Sequence, residues 1–230
     1  MKNPPLSLLV VIALAAAVAG YYGYRQFGEP AAGAAAPLAQ APPARTAVNV
    51  PAEPPAATVA DQVPDVQLVD LKGKPHALRE TPGHARLFNF WATWCEPCLR
   101  EIPLLNALQG EYGADELQIV GIAVDFREAV KKFIKTTKLE YTSLMGEQQG
   151  LEVAQKFGVE LALPFSVFAD EHNQIIAVKV GELHREEADA ILAHMRALRA
   201  GTESLAAAQV AIGASLRALA IERAKQSAQK

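Results

Sequence analysis

Cys95 and Cys98 are the only two cysteines in 230 residues. They stand two residues apart in Trp94-Cys95-Glu96-Pro97-Cys98. Thiols at this spacing can close and reopen one small disulfide, which is the core chemistry of thiol–disulfide exchange. A structural crosslink fits poorly, because loop-closure stabilisation grows with loop length and this loop is very short. A zinc site needs about four ligands, and His76, His84, His172, His184 and His194 show no paired spacing that would complete one. A peroxidase working through a distant resolving cysteine has no such cysteine here.

The flanking residues assign roles to the two thiols. An apolar, aromatic run, Leu87-Phe88-Asn89-Phe90-Trp91, reads as a buried strand, and Leu99-Arg100-Glu101-Ile102 opens a helix. Cys95 then sits at the helix start, where free N–H groups and the helix dipole favour a thiolate, so it is the expected nucleophile. Cys98, one turn inside, is the expected resolving thiol. Pro97 suits the first turn, where its missing N–H has no partner to lose. Glu96 places a carboxylate beside Cys95, disfavours the thiolate and tunes the couple toward a reductant. The bland reading of Glu96 is that it complements the helix dipole.

The rest of the chain must position these residues. Lys+Arg number 22 and Asp+Glu 25, a net charge of −3, and nothing in that balance points to nucleic acid. Residues 3–24 carry no charge, with Tyr21, Tyr22, Tyr24 and Arg25 after the apolar run. Residues 1–27 are therefore expected to be a single membrane anchor, placing the following domain in the periplasm; a cleaved secretory signal, releasing a soluble periplasmic form, is the alternative. Residues 28–62, rich in Ala and Pro, read as an extended linker. From residue 63 the pattern is that of a folded domain to about residue 200. A leading hairpin lies around Val66–Leu78, strands at 86–91 and 117–124, helices at 95–112 and 128–138, and a short helix at 152–157. Strands at 165–169 and 175–180 and a helix at 186–198 close it. Strands alternating with helices, then a closing hairpin and helix, predict an α/β fold with a central mixed sheet flanked by helices. Residues 201–230 form a C-terminal helical extension, with Thr202 as a candidate cap and Leu205, Ile212, Leu216 and Leu219 on one face, expected to pack on the domain.

This order, with Pro64-Asp65, Phe88-Asn89-Phe90-Trp91-Ala92-Thr93-Trp94-Cys95-Glu96-Pro97-Cys98, Glu101-Ile102-Pro103, Gly158-Val159 and Leu163-Pro164-Phe165-Ser166-Val167-Phe168, resembles the TlpA/ResA-like family of membrane-anchored, thioredoxin-fold thiol-disulfide oxidoreductases. The resemblance spans about residues 63–198. It implies a thioredoxin-like fold and a protein-disulfide reductase of the bacterial envelope, using no cofactor and no metal. It implies a cis Pro164 facing the disulfide, with Trp94, Leu163 and Phe165 lining a substrate surface. Thioredoxin has a buried Asp where this chain has Asn89, which cannot titrate; the resemblance assigns proton handling to Glu101 instead. The implied electron donor is a membrane thiol transporter. The implied clients are disulfide-bearing envelope proteins such as apocytochrome c or copper-site proteins. A thiol-based metallochaperone or redox-controlled binding module, and a net thiol oxidase, stay open beside this reading.

Overall fold

The computed structural model describes residues 59–79, 83–113, 115–160 and 162–229. The expected anchor, 1–27, and the linker as far as residue 58 lie outside the described residues. The elements are β1 (Gln67–Asp70), β2 (Pro75–Ala77), β3 (Ala85–Trp91), α1 (Glu96–Tyr112), β4 (Leu117–Ala123), α2 (Arg127–Phe133), β5 (Thr142–Met145), α3 (Glu147–Lys156), β6 (Phe165–Ala169), β7 (Ile175–Val180), α4 (Arg185–Arg199) and α5 (Leu205–Ala228). The strands make one sheet in the order β2-β1-β5-β4-β3-β6-β7. β3, β4 and β5 are parallel, joined through α1 and α2. β1, β2, β6 and β7 pair antiparallel, so the sheet is mixed.

The central strand explains the layering. All seven residues of β3 are buried, as a strand covered on both faces requires. Alternation sends Phe88 and Phe90 to one side, where they pack with Phe157, Phe165, Val153 and Leu144. Leu87 goes to the other side, among Leu105, Leu108, Ile191, Leu192 and Ile212. At the carboxyl end of the sheet Trp91 packs with both cysteines, Val130 and Met145. Asn89, in step with Leu87 and Trp91, faces α1.

Several boundaries differ from expectation. β5 has no counterpart in the sequence reading, because Thr-Ser-Leu-Met is too short to show a period. α3 begins at Glu147 instead of Glu152. Gly146 and Gly150 hide its first turn, since glycine reads as a breaker. Here they allow close approach: a Cβ on Gly146 would lie 2.9 Å from the Ala123 carbonyl, and one on Gly150 would lie 3.1 Å from Val124. α2 stops at Phe133, where a turn through Thr137 takes over. Thr202 does not cap α5. Its N–H and hydroxyl both donate to the Ala197 carbonyl, at 3.0 and 3.1 Å, closing α4 after the left-handed Gly201. Ser204 caps α5 instead, its hydroxyl accepting the Ala207 N–H at 3.3 Å.

α5 is long and apolar enough to cross a bilayer by length and composition. It lies against the domain, with Ala208 and Ile212 buried. Gln209 donates to the Ile175 carbonyl at 3.2 Å, and Arg223 donates to Glu187 of α4.

Candidate active site

The turn between β3 and α1 presents the cysteines. Cys95 is the N-cap of α1 in extended backbone conformation, and its Sγ accepts the Cys98 N–H at 3.3 Å. The two sulfurs are joined in a disulfide. Cys95 is 5% exposed and Cys98 is fully buried, so only the first sulfur has a face toward solvent. Trp94 beside it is 68% exposed. Pro97 occupies the first helical turn. Asp125, just past β4, braces the turn from below by accepting the Thr93 N–H at 2.9 Å and the Phe126 N–H at 2.7 Å.

Glu96 is exposed and meets Arg100 at 3.3 Å, and Arg100 also pairs with Glu182 at 2.6 Å. Its carboxylate therefore stands in solvent beside a compensating guanidinium. That weakens the tuning expected from the sequence.

Glu101 is buried, although it lies on a helix whose neighbouring Arg100 is exposed. Its Oε1 accepts Asn89 Nδ2 at 2.7 Å, and its Oε2 accepts the Leu183 N–H at 2.7 Å. Asn89 also donates to Ser166 Oγ on β6 at 3.2 Å. Asn89 thus stands where the sheet aims a polar group at α1, and it holds a carboxylate instead of being one. Burial pushes the Glu101 carboxyl up to about 7, with a smaller push from Glu182; the bonds from Leu183 and Asn89 and the charge of Lys179 pull the other way. A carboxyl poised there gains and loses a proton near neutral pH.

The expected substrate surface is only partly assembled. The Leu163–Pro164 peptide is cis, and Leu163 packs against the cysteine cluster. Pro164 is buried, its carbonyl accepting the Gly181 N–H at 2.8 Å. Phe165 does not line a surface. Alternation along β6 turns it to the far face of the sheet, where it is fully buried and stacked on Phe90 with ring centroids 4.1 Å apart. The open apolar surface lies on the other flank of Trp94. There a groove of about 800 Å³ is lined by Trp94, Val124, Phe126, Met145 and Leu151. Phe126 is 79% exposed and Leu151 is at its rim. The sequence reading missed Asp125, Phe126 and Leu151. Their signal was position: they follow the carboxyl ends of parallel strands, where open α/β sheets bind ligands.

A redox disulfide at the start of α1, above a mixed sheet and beside a buried carboxyl, defines a thioredoxin-like thiol-disulfide oxidoreductase. The chain belongs to the Redoxin family, whose model matches residues 58–192. It is 30% identical over 135 residues to the thiol-disulfide oxidoreductase ResA of Bacillus thuringiensis subsp. konkukian (strain 97-27), covering 58% of this chain and 76% of that one. The thioredoxin-like protein YneN of Bacillus subtilis (strain 168) is 34% identical over 132 residues, covering 55% and 74%. MTB dsbF, a solved structure, superposes with a TM-score of 0.50 at 25% identity, covering 62% of this chain and 98% of that one.

Proposed function

We propose that this oxidoreductase reduces disulfides in proteins outside the cytoplasm, with Cys95 attacking, Cys98 resolving and Glu101 taking the proton that Cys98 gives up. The N-cap placement of Cys95 over a buried Cys98, with Glu101 one turn further along the same helix, carries this reading. The Cys95 thiolate attacks one sulfur of the client disulfide. A mixed disulfide forms and the client's second sulfur leaves as a thiolate, taking a proton. Cys98 then gives its proton toward Glu101 and attacks Cys95 Sγ, and the client's first sulfur leaves and is protonated in turn. The client gains two electrons and two protons, and the enzyme ends as the Cys95–Cys98 disulfide.

The groove flanked by Trp94, Phe126 and Leu151, together with Leu163 and Pro164, receives the extended client segment around its cysteine. Apolar side chains there contribute burial. The relatives named as thiol-disulfide oxidoreductases support the reaction, and the uncharged run over residues 3–24 supports a site of action outside the cytoplasm. With residues 1–27 as the anchor, a membrane thiol transporter is the fitting electron donor, and envelope proteins bearing disulfides, such as apocytochrome c or copper-site proteins, are the fitting clients.

Equilibration of the Cys95–Cys98 couple with glutathione or dithiothreitol tests the direction. A reductase has a potential well below the value of about −120 mV that marks a dedicated oxidant. A value at that level would reverse the reaction. Limiting iodoacetamide tests the two thiols. The reduced protein is expected to label at Cys95, and preferential labelling of Cys98 would exchange their roles.

A further inference from the structure

Glu187, near the start of α4, is 0% exposed. Its Oε2 accepts the His184 N–H at 3.0 Å, as the reciprocal half of a capping box. Two cations address the same carboxylate. Lys179 Nζ of β7 lies 3.6 Å from Oε2, and Arg223 of α5 donates to Oε1. Arg223 comes from outside the stretch that matches the Redoxin family, which ends at residue 192.

The segment between β7 and α4 joins this carboxylate to the active site. Lys179 Nζ donates to the Val180 and Glu182 carbonyls at 2.9 and 3.0 Å. The Gly181 N–H reaches Pro164, Glu182 reaches Arg100, and the Leu183 N–H reaches Glu101. Glu187 thus holds residues 179–184 at both ends, through the Lys179 ammonium and the His184 amide, and the Leu183 amide between them bonds Glu101. The groups facing Glu101 are Asn89 of β3, Leu183 and Glu182 of this segment, Lys179 of β7, and Tyr141, whose buried phenol is pushed up by burial and by Glu101 itself.

We propose that Arg223 is a positioning residue for the resolving step: by clamping Glu187 it fixes the 179–184 segment, and with it the Leu183 amide and the Lys179 ammonium, against Glu101. This rests on the reading of Glu101 as the proton-handling group. Without Arg223, Lys179 is the one cation left on a carboxylate with no access to water, and its ammonium is drawn from the 180 and 182 carbonyls toward Glu187. The segment loosens, and the carboxylate form of Glu101 loses stabilisation from both the Leu183 amide and the Lys179 charge.

Release of a model peptide from the Cys95 mixed disulfide, followed by stopped flow from pH 5 to 9 in the full chain, tests this. Arg223→Met is expected to move the midpoint of the profile upward by about half to one pH unit and to slow the acid side about three- to tenfold. Arg223→Lys, which keeps the charge, is expected to restore most of the shift. In a Glu101→Gln background, Arg223→Met is expected to leave the release rate unchanged, because its route to the step is gone. Should Arg223→Met not fold, Arg223→Gln keeps an N–H donor to Glu187 without the charge and carries the same expectation. An unshifted profile in a folded Arg223 variant, while Glu101→Gln flattens the profile, overturns the role of Arg223 and leaves that of Glu101 standing. A slowing that persists in the Glu101→Gln background also overturns it, since Arg223 then acts elsewhere. A Glu101→Gln profile identical to the parent's brings down the reading of Glu101, and this proposal with it.

Discussion

Among the described residues two glutamates are buried, Glu101 and Glu187, and they are held in opposite ways. Glu101 receives two neutral N–H donors, one from Asn89 and one from Leu183, and no cation bonds it directly. Glu187 receives one backbone N–H and two cations, Lys179 and Arg223. Burial disfavours a carboxylate in both places. At Glu101 neutral donors only partly offset the cost, so the proton binds up to about pH 7. Glu187 instead lies between Lys179 and Arg223, an arrangement that fits a lasting ion pair anchoring a helix. A buried carboxyl bonded only by neutral donors is suited to exchanging protons, and one bonded by cations is suited to holding elements together. The same residue type thus meets two different environments within one small domain.

The same Glu→Gln substitution at each position puts this contrast to the test. At Glu101 it should slow mixed-disulfide release by about 10²–10⁴-fold, the usual contribution of general base help, with little loss of stability. Single-turnover kinetics and denaturant unfolding measure the two effects; a strong loss of stability without a kinetic change would make Glu101 the structural member of the pair. At Glu187 the substitution leaves Lys179 and Arg223 facing a neutral amide. It should cost about 3 kcal/mol of stability, in the range for breaking a buried ion pair, while release changes less than tenfold. A stable but catalytically dead Glu187→Gln variant would collapse the contrast.

The pH dependence of stability separates the two sites without substitution. The Glu101 pKa is raised in the folded state from its ordinary 4.5 to about 7. Between those values the folded protein binds more protons than the unfolded chain, so its stability falls as pH rises. The contribution is fully present below about pH 4.5 and lost as pH passes about 7, roughly 3 kcal/mol in all at 1.36 kcal/mol per unit. Unfolding of the oxidised protein at pH 5 and pH 8 should show this fall, and Glu101→Gln should remove it. A slope that survives in Glu101→Gln would assign it to another group.

The smallest expected effect leaves both carboxylates untouched. Phe126→Ala should lower kcat/KM for peptide disulfides about fivefold, since ~40 Å² of lost apolar contact is worth about 1 kcal/mol. The pH profile of release should stay in place. A profile that moved with Phe126 would mean that the groove and Glu101 act as one unit.

Much of the fold was legible because its signals are local. The aromatic run of β3, the helix after Cys95 and the closing hairpin each span enough residues to show their period. β5 and the start of α3 were not legible. One is too short, and the other opens on two glycines whose reason is the close approach of β4, a contact that no local pattern records. The two cysteines and Glu101 could be read off their spacing and a family resemblance. Phe165 could not, because the face it turns to depends on the strand register beside β3. The sequence by itself determined the paired sulfurs and the α/β class, because these follow from residue identity and from periods of two and 3.6. Only the tertiary structure decided that Asn89 serves Glu101, that the apolar groove opens beside Phe126, and that Arg223 closes over Glu187. Each of those facts depends on residues far apart in the chain meeting across a packed interior, where burial sets whether a carboxyl holds its proton or its partner.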